Sequence, residues 1–169
     1  MTSYEPFALA KLDGVVQHYA WGGYDFIPDL INSPNRENQP FAELWYGAHT
    51  KAPSTVHVFE KTVQLDTYIR NNSQILGERV VDAFGGALPY LLKVLDAHDM
   101  LSIQAHPSKI QAEEGFAREN ELEIPHDAPH RSYKDDNHKP EVHVALTDFW
   151  MLHSFRPAQD IEHLLQITT

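Results

Sequence analysis

The sequence contains no cysteine, which excludes disulfides and thiolate metal sites, so any transition metal must be held by histidine, carboxylate or amide oxygen. Basic residues are also few. Lys+Arg number 13 against 24 Asp+Glu, giving a formal charge of −11 with no lysine- or arginine-rich run, and this balance argues against a nucleic-acid partner. It does not exclude an anionic small substrate, because a few cations focused in a cleft outweigh a distant acidic surface that salt screens beyond about 8–10 Å. Long apolar runs are missing as well: nothing approaches the roughly 18 consecutive apolar residues of a membrane-spanning helix. The opening MTSYEPFALAKLDG lacks the basic-then-apolar run of a secretory signal. The expectation is a soluble, cytoplasmic protein with no membrane partner.

What the chain does have is eleven histidines and enough apolar residues among its 169 to bury one sizeable core, as one domain or as one incomplete larger unit. The segment VVQHYAWGG reads as a strand breaking into a turn at Gly22 and Gly23. NSPNRENQPF over 32–41 reads as a loop, and 52–59 suits a strand. In SQILGERVVDAFGG the apolar Leu76, Val80 and Phe84 recur at i, i+4 and i+8, which predicts one helix with Ser73 as N-cap and Gly85 as stop. Residues 88–96 and 100–106 are strand-like and joined by Ala97-His98-Asp99, which predicts a hairpin. Ser108 caps a predicted helix over 109–120, and IPHDAPHRSYKDDN follows as a polar loop. Strand is expected again over 139–147, and a final amphipathic helix has Ile161, Leu164 and Leu165 on one face.

Strand alternation would put Ser102, Gln104 and His106 on one face, and Glu141 and His143 on one side of the later strand with Val142, Val144 and Leu146 on the other. A Gln/His pair two apart plus a glutamate from a second strand offers nitrogen and oxygen ligands that suit zinc or another divalent ion. The same pattern also suits a half-buried strand whose polar residues are simply hydrogen-bonded, and spacing alone does not fix the metal.

LPYLLKVLDAHDMLSIQAHPSK over 88–109 resembles the signature segment of type I mannose-6-phosphate isomerases, and NHKPEVHVAL over 137–146 is similar to a second one. YAWGG at 19–23, AELWYGAHTKAPS at 42–54 and SFRP at 154–157 agree in order and spacing. The resemblance implies a mainly β fold with helical insertions, a cupin (jelly-roll) barrel incomplete in this chain. Residues 1–169 would be the amino-terminal part of the catalytic domain, with later helical and second cupin sections absent. It implies zinc as cofactor, with Gln104, His106 and Glu141 as three of four protein ligands and a later histidine as the fourth. The implied reaction interconverts mannose 6-phosphate and fructose 6-phosphate by enediol proton transfer, so a phosphorylated hexose is the expected partner.

For that proton transfer the resemblance makes Lys139 and His138 candidates. A base role for Lys139 requires a depressed pKa, which a dication and a dry site both favour; the alternative is a solvated loop charge. Lys93, between Leu91 and Leu95, either snorkels outward or meets a substrate phosphate as a point charge. Ser102 resembles a serine near the substrate, although a neighbouring strand could equally satisfy its hydroxyl. His143 can replace the missing ligand. Glu43 can orient a group in the site, Trp21 and Trp45 read as core or rim aromatics, and His126 and His130, beside Pro125 and Pro129, read as loop histidines. The rival readings are a non-catalytic metal- or sugar-binding cupin module, an inactive fragment lacking the fourth ligand, and a different cupin enzyme.

Overall fold

The structure is a computed structural model that describes residues 9–101, 104–152 and 154–168. It divides into two compact units, Met1–Met100 and Leu101–Thr169.

The first unit holds two three-stranded antiparallel sheets. In one, β1 (Leu12–Asp13) pairs with β4 (Thr55–Val58), which pairs with β5 (Lys61–Gln64). In the other, β3 (Glu43–Tyr46) lies between β2 (Val15–Gln17) and β6 (Leu92–Leu95). The expected strand over 52–59 is thus Thr55–Val58, turning into β5 where Val58 pairs with Lys61. His57 and Lys11 both contact the Asp13 carboxylate, and with His57 as the larger influence they hold it below the usual aspartate value.

Register in the second sheet sorts its side chains. Val16 stands opposite Leu44 and Leu44 opposite Val94. These three pack with Ile27, Phe41, Ile31 and Tyr46 as the core, in which Ile27, on the short helix α1 (Phe26–Leu30), and Leu44 are essentially sealed from solvent. By alternation the other face presents Gln17 and Glu43 as one pair and Trp45 and Lys93 as another,. Trp21-Gly22-Gly23 does leave the strand through a turn, closed by Gly22 N–H donating to Tyr19. Gly22 then bridges Ala97 and Gly23 bridges Phe41. Asp96, just past β6, has its Oδ2 buried without a hydrogen-bond partner among the described residues. Burial raises its pKa, opposed by the backbone N–H groups of Ile27 and Phe26.

After α2 (Leu65–Asn71), the single helix expected over 73–85 is two pieces, a 3-10 turn at Ser73–Leu76 and α3 at Glu78–Phe84. Gly77 divides them at φ 78°, a conformation that a right-handed helix cannot contain. Ser73 is therefore not an N-cap. Gly85 does end α3 as predicted, in the left-handed region, where a glycine avoids the Cβ clash of other residues.

In the second unit α4 (Lys109–Glu121) begins as expected at Ser108, through a complete capping box in which Gln111 N–H donates to Ser108 Oγ and Ser108 N–H to Gln111 Oε1,. The polar loop beyond it is pinned. Arg131 is buried and donates to the carbonyls of Ile124 and Tyr133 and to Asn120 Oδ1, while the Glu119 carboxylate accepts from the N–H groups of Ser132 and Tyr133. Gly115 permits this docking, since a Cβ there would lie 2.5 Å from Tyr133 Cζ. The final helix, α5, is Ala158–Thr168.

Two strand expectations fail. Among the described residues the hairpin joining 88–96 to 100–106 is not seen: Ala97 pairs with Gly22, Leu101 makes an isolated parallel bridge to Met151, and 104–107 has no regular structure. Residues 139–145 are likewise without regular structure. The alternation there is real, but Val142, Val144 and Leu146 are 93%, 78% and 78% exposed, so the apolar side of the would-be strand has no surface to bury against. Pro107 and Pro140 also offer no N–H to a ladder. Among the described residues the sheets do not close into a barrel.

Candidate metal centre

Glu141 is the hub of the second unit's polar cluster. Its Oε2 lies 3.7 Å from His106 Nε2 and 3.7 Å from His143 Nε2, and its Oε1 lies 3.7 Å from Lys139 Nζ. Local sequence explains the approach. Pro107 and the Ser108 cap end the His106 segment at a fixed helix start. Pro140 restricts Lys139 to extended backbone, and with residues 141–143 also outside any helix, Glu141 and His143 can share a side.

The His–Glu separations exceed a hydrogen bond, which spans about 2.7–3.2 Å. They are close to the spacing of two donors on one tetrahedral ion, about 3.4 Å at zinc-like bond lengths near 2.1 Å. In chemical type, the donor set of imidazole nitrogens and carboxylate oxygen suits a divalent ion such as zinc. The shell is not preformed: among the described residues no three His, Cys, Asp or Glu side chains are already gathered around one point. The side chains of His106, Glu141 and His143 are 30%, 29% and 37% exposed, so an incoming ion would reach them without unfolding.

The other predicted residues fall as follows. Gln104 is exposed, in the same irregular segment as His106. His138 is exposed one residue before Lys139. Ser102 lies outside the described residues. Lys93 belongs to the first unit, where its Nζ is 3.6 Å from Glu43 Oε1 and 5.2 Å from the Trp45 ring centroid, with its side chain only 18% exposed. Snorkelling does not describe it. Glu43 accepts from Trp45 Nε1 at 2.5 Å, and Lys51 lies 5.4 Å from the same indole while donating to the Tyr19 hydroxyl.

Gln17, buried beside Glu43 in register, is a polar member of this face that sequence reasoning passed over. The signal was available: in VVQH the apolar Val16 and polar Gln17 fall on opposite faces. His126 sits 5.8 Å from the Phe116 ring, a loop histidine as expected.

Comparison with known proteins supplies the remaining constraint. The family described as phosphomannose isomerase type I, catalytic domain, matches residues 9–158. Mannose-6-phosphate isomerase of Salmonella typhimurium is 48% identical over 160 residues, covering 94% of this chain and 41% of that protein. The Escherichia coli K12 protein is 47% identical over the same shares, and the bovine one 39%, over 89% of this chain and 35% of its own length. The chain thus spans about two-fifths of the curated bacterial relatives it matches. Among solved structures, mannose 6-phosphate isomerase bound with zinc and yttrium aligns at a TM-score of 0.68, covering 76% of this chain and 33% of that one, at 48% identity. The Salmonella typhimurium protein bound to the substrate fructose 6-phosphate and zinc aligns at 0.69, over 77% and 33%. The likeness identifies the two small antiparallel sheets as parts of an incomplete cupin-type barrel, mainly β with helical insertions. With the family matched over most of the chain and its signature segments in place, this chain belongs to the type I phosphomannose isomerases.

Proposed function

We propose that the chain is the amino-terminal part of a zinc-dependent aldose–ketose isomerase that interconverts mannose 6-phosphate and fructose 6-phosphate. Gln104, His106 and Glu141 hold the metal, with His143 as a further candidate donor. The observation that supports this most directly is one carboxylate oxygen equidistant, at 3.7 Å, from two imidazole nitrogens. The zinc-bound and fructose 6-phosphate-bound relatives add to it.

Moving a proton between C1 and C2 through an enediol requires a base that collects and returns the proton, stabilisation of charge on the O1/O2 edge, and a cation for the phosphate. A divalent ion bound at Glu141 supplies Lewis acidity at that edge. Lys139, whose Nζ lies 3.7 Å from the opposite oxygen of the same carboxylate, is the proton-transfer group, collecting the proton as the neutral amine, with His138 beside it. Lys93, held between Glu43 and Trp45, offers a largely desolvated positive charge to substrate, and Ser102 a hydroxyl. Glu43 and Trp45 fix the position of that charge.

Isomerisation of mannose 6-phosphate, measured with and without chelator for this chain and for a longer form bearing the sections found in relatives, tests the reading. Chelator-sensitive activity in the longer form supports it; chelator-insensitive activity, or no metal uptake by either, removes it. A second reading, a metal-binding module without turnover, is favoured by the openness of the cluster, since Lys139 is 56% exposed and wet sites weaken electrostatic catalysis. Metal uptake without activity in both forms would select it.

A further inference from the structure

Resting on the metal reading above, we infer that Lys109 is a positioning residue of the metal site, fastening the segment that bears His106 to the segment that bears Glu141. Lys109 is the first residue of α4, and the Ser108–Gln111 capping box fixes that helix start just after His106-Pro107. From there its ammonium reaches across the chain. Nζ donates to the backbone carbonyl of Asp136 at 2.8 Å and to Asn137 Oδ1 at 3.4 Å, with Asp136 Oδ2 at 3.7 Å and Glu113 Oε1 at 3.3 Å.

Both ends of this staple are rigid close to the ligands. On one side only Pro107 and Ser108 separate it from His106. On the other, Asn137 is tied into a turn by its N–H donating to Asp135 Oδ1 at 2.8 Å, and Pro140 limits the backbone of the intervening Lys139. The two ligand segments are not joined by a ladder of strand hydrogen bonds, since neither 104–107 nor 138–145 is regular. A single side chain with three donors thus supplies the cross-link that a β-pairing would otherwise provide. Donors on one ion must be held to a few tenths of an ångström, and groups that orient ligands without touching the metal commonly change its affinity about 10–100-fold when removed.

The staple's own contribution to folding is small, because Lys109 is 43% exposed and solvent-exposed ion pairs add little to stability. That separates positioning from general support of the fold. Zinc affinity of the whole chain, by competition with a chromophoric chelator, and the visible ligand-field spectrum of the cobalt(II) form are measured for wild type, Lys109→Met, Lys109→Arg and His106→Ala. Lys109→Met should bind zinc about 10–100-fold more weakly and shift the cobalt spectrum, with an unchanged melting temperature in the absence of metal. Lys109→Arg should recover most of the affinity. Wild-type affinity in Lys109→Met, alongside weakened binding in His106→Ala, would overturn the inference and leave the metal reading standing; so would an affinity loss that tracks a lowered melting temperature without recovery by arginine. If wild type binds no zinc, or His106→Ala binds as wild type does, the metal reading falls and this inference with it.

Discussion

Lys93 stands opposite Trp45 across the β3–β6 pair, its ammonium 5.2 Å from the centroid of an indole whose N–H donates to Glu43. The two residues and the glutamate lie together on the face of the sheet away from the apolar core. Removing the indole N–H leaves a buried carboxylate short of one donor. Trp45→Phe should therefore lower stability by about 1.5–3 kcal/mol, the range for a hydrogen bond to a charged group, read by chemical denaturation. A change below about 0.5 kcal/mol, typical of uninvolved surface positions, would show that Glu43 does not depend on this bond.

Gly115 sits where helix propensity and packing oppose each other. Alanine in a helix gains up to about 1 kcal/mol over glycine, but here its Cβ would lie 2.5 Å from the Tyr133 ring, and overpacking costs about 1–3 kcal/mol. Packing should win. Gly115→Ala should melt lower than wild type, and an unchanged or raised melting temperature would mean that Tyr133 yields freely.

Glu119 gives stability a pH dependence whose sign is fixed. The Tyr133 and Ser132 N–H groups and Arg131 hold its carboxyl below the ordinary glutamate value of 4.5, so the unfolded chain takes up its proton first as pH falls. Its contribution is complete above pH 4.5 and is lost as pH falls through the lower folded value. Denaturation midpoints measured from pH 6 downward should fall less steeply for Glu119→Gln than for wild type; parallel curves would remove Glu119 as a source of acid sensitivity.

Lys139→Ala, made in an active longer form, should cut turnover by a factor on the order of 100 or more, in line with the usual range for a general acid or base. Metal content should stay at the wild-type level, because Lys139 faces the carboxylate and is not among the proposed ligands. Near-normal turnover would take Lys139 out of the mechanism.

How much of this was legible in sequence depends on what each pattern needs in order to act. Ser108 and Gly85 were readable because capping and left-handed stops are settled within a few residues, and α4 starts where its cap said. The helix over 73–85 failed for an equally local reason, a glycine inside an otherwise helical apolar period. Among the described residues the strands expected around His106 and Glu141 are not seen, for a non-local reason. Alternation marks which side chains share a side, and it correctly grouped Glu141 with His143, but a strand forms only where another strand pairs with it. Lys93 looked anomalous between leucines, and register resolved the anomaly by showing Trp45 and Glu43 on the same face. Neither Gln17 nor the Lys109 contacts announced themselves, since each becomes meaningful only through a partner distant in sequence.

The exposed apolar residues of the second unit make a further expectation concrete. Val142, Trp150 and Phe155 are 93%, 80% and 79% exposed, and apolar surface of this kind drives association. Sedimentation of the chain should show concentration-dependent self-association, relieved by Val142→Ser combined with Trp150→Ser. A monodisperse, cooperatively melting monomer at high concentration would contradict it.

The contacts of Glu119 with Ser132 and Tyr133 bear on how the chain acquires its structure. They close short loops, of the kind that meet in about 10–100 ns for ten residues, at little entropic cost. The capped helix and the segment folded back on it can consequently form before any long-range pairing, as a kinetic nucleus. The amides of Ser132 and Tyr133, although outside any helix or strand, would then be protected from solvent exchange earlier in refolding than those of β6, whose partner β3 is distant in sequence.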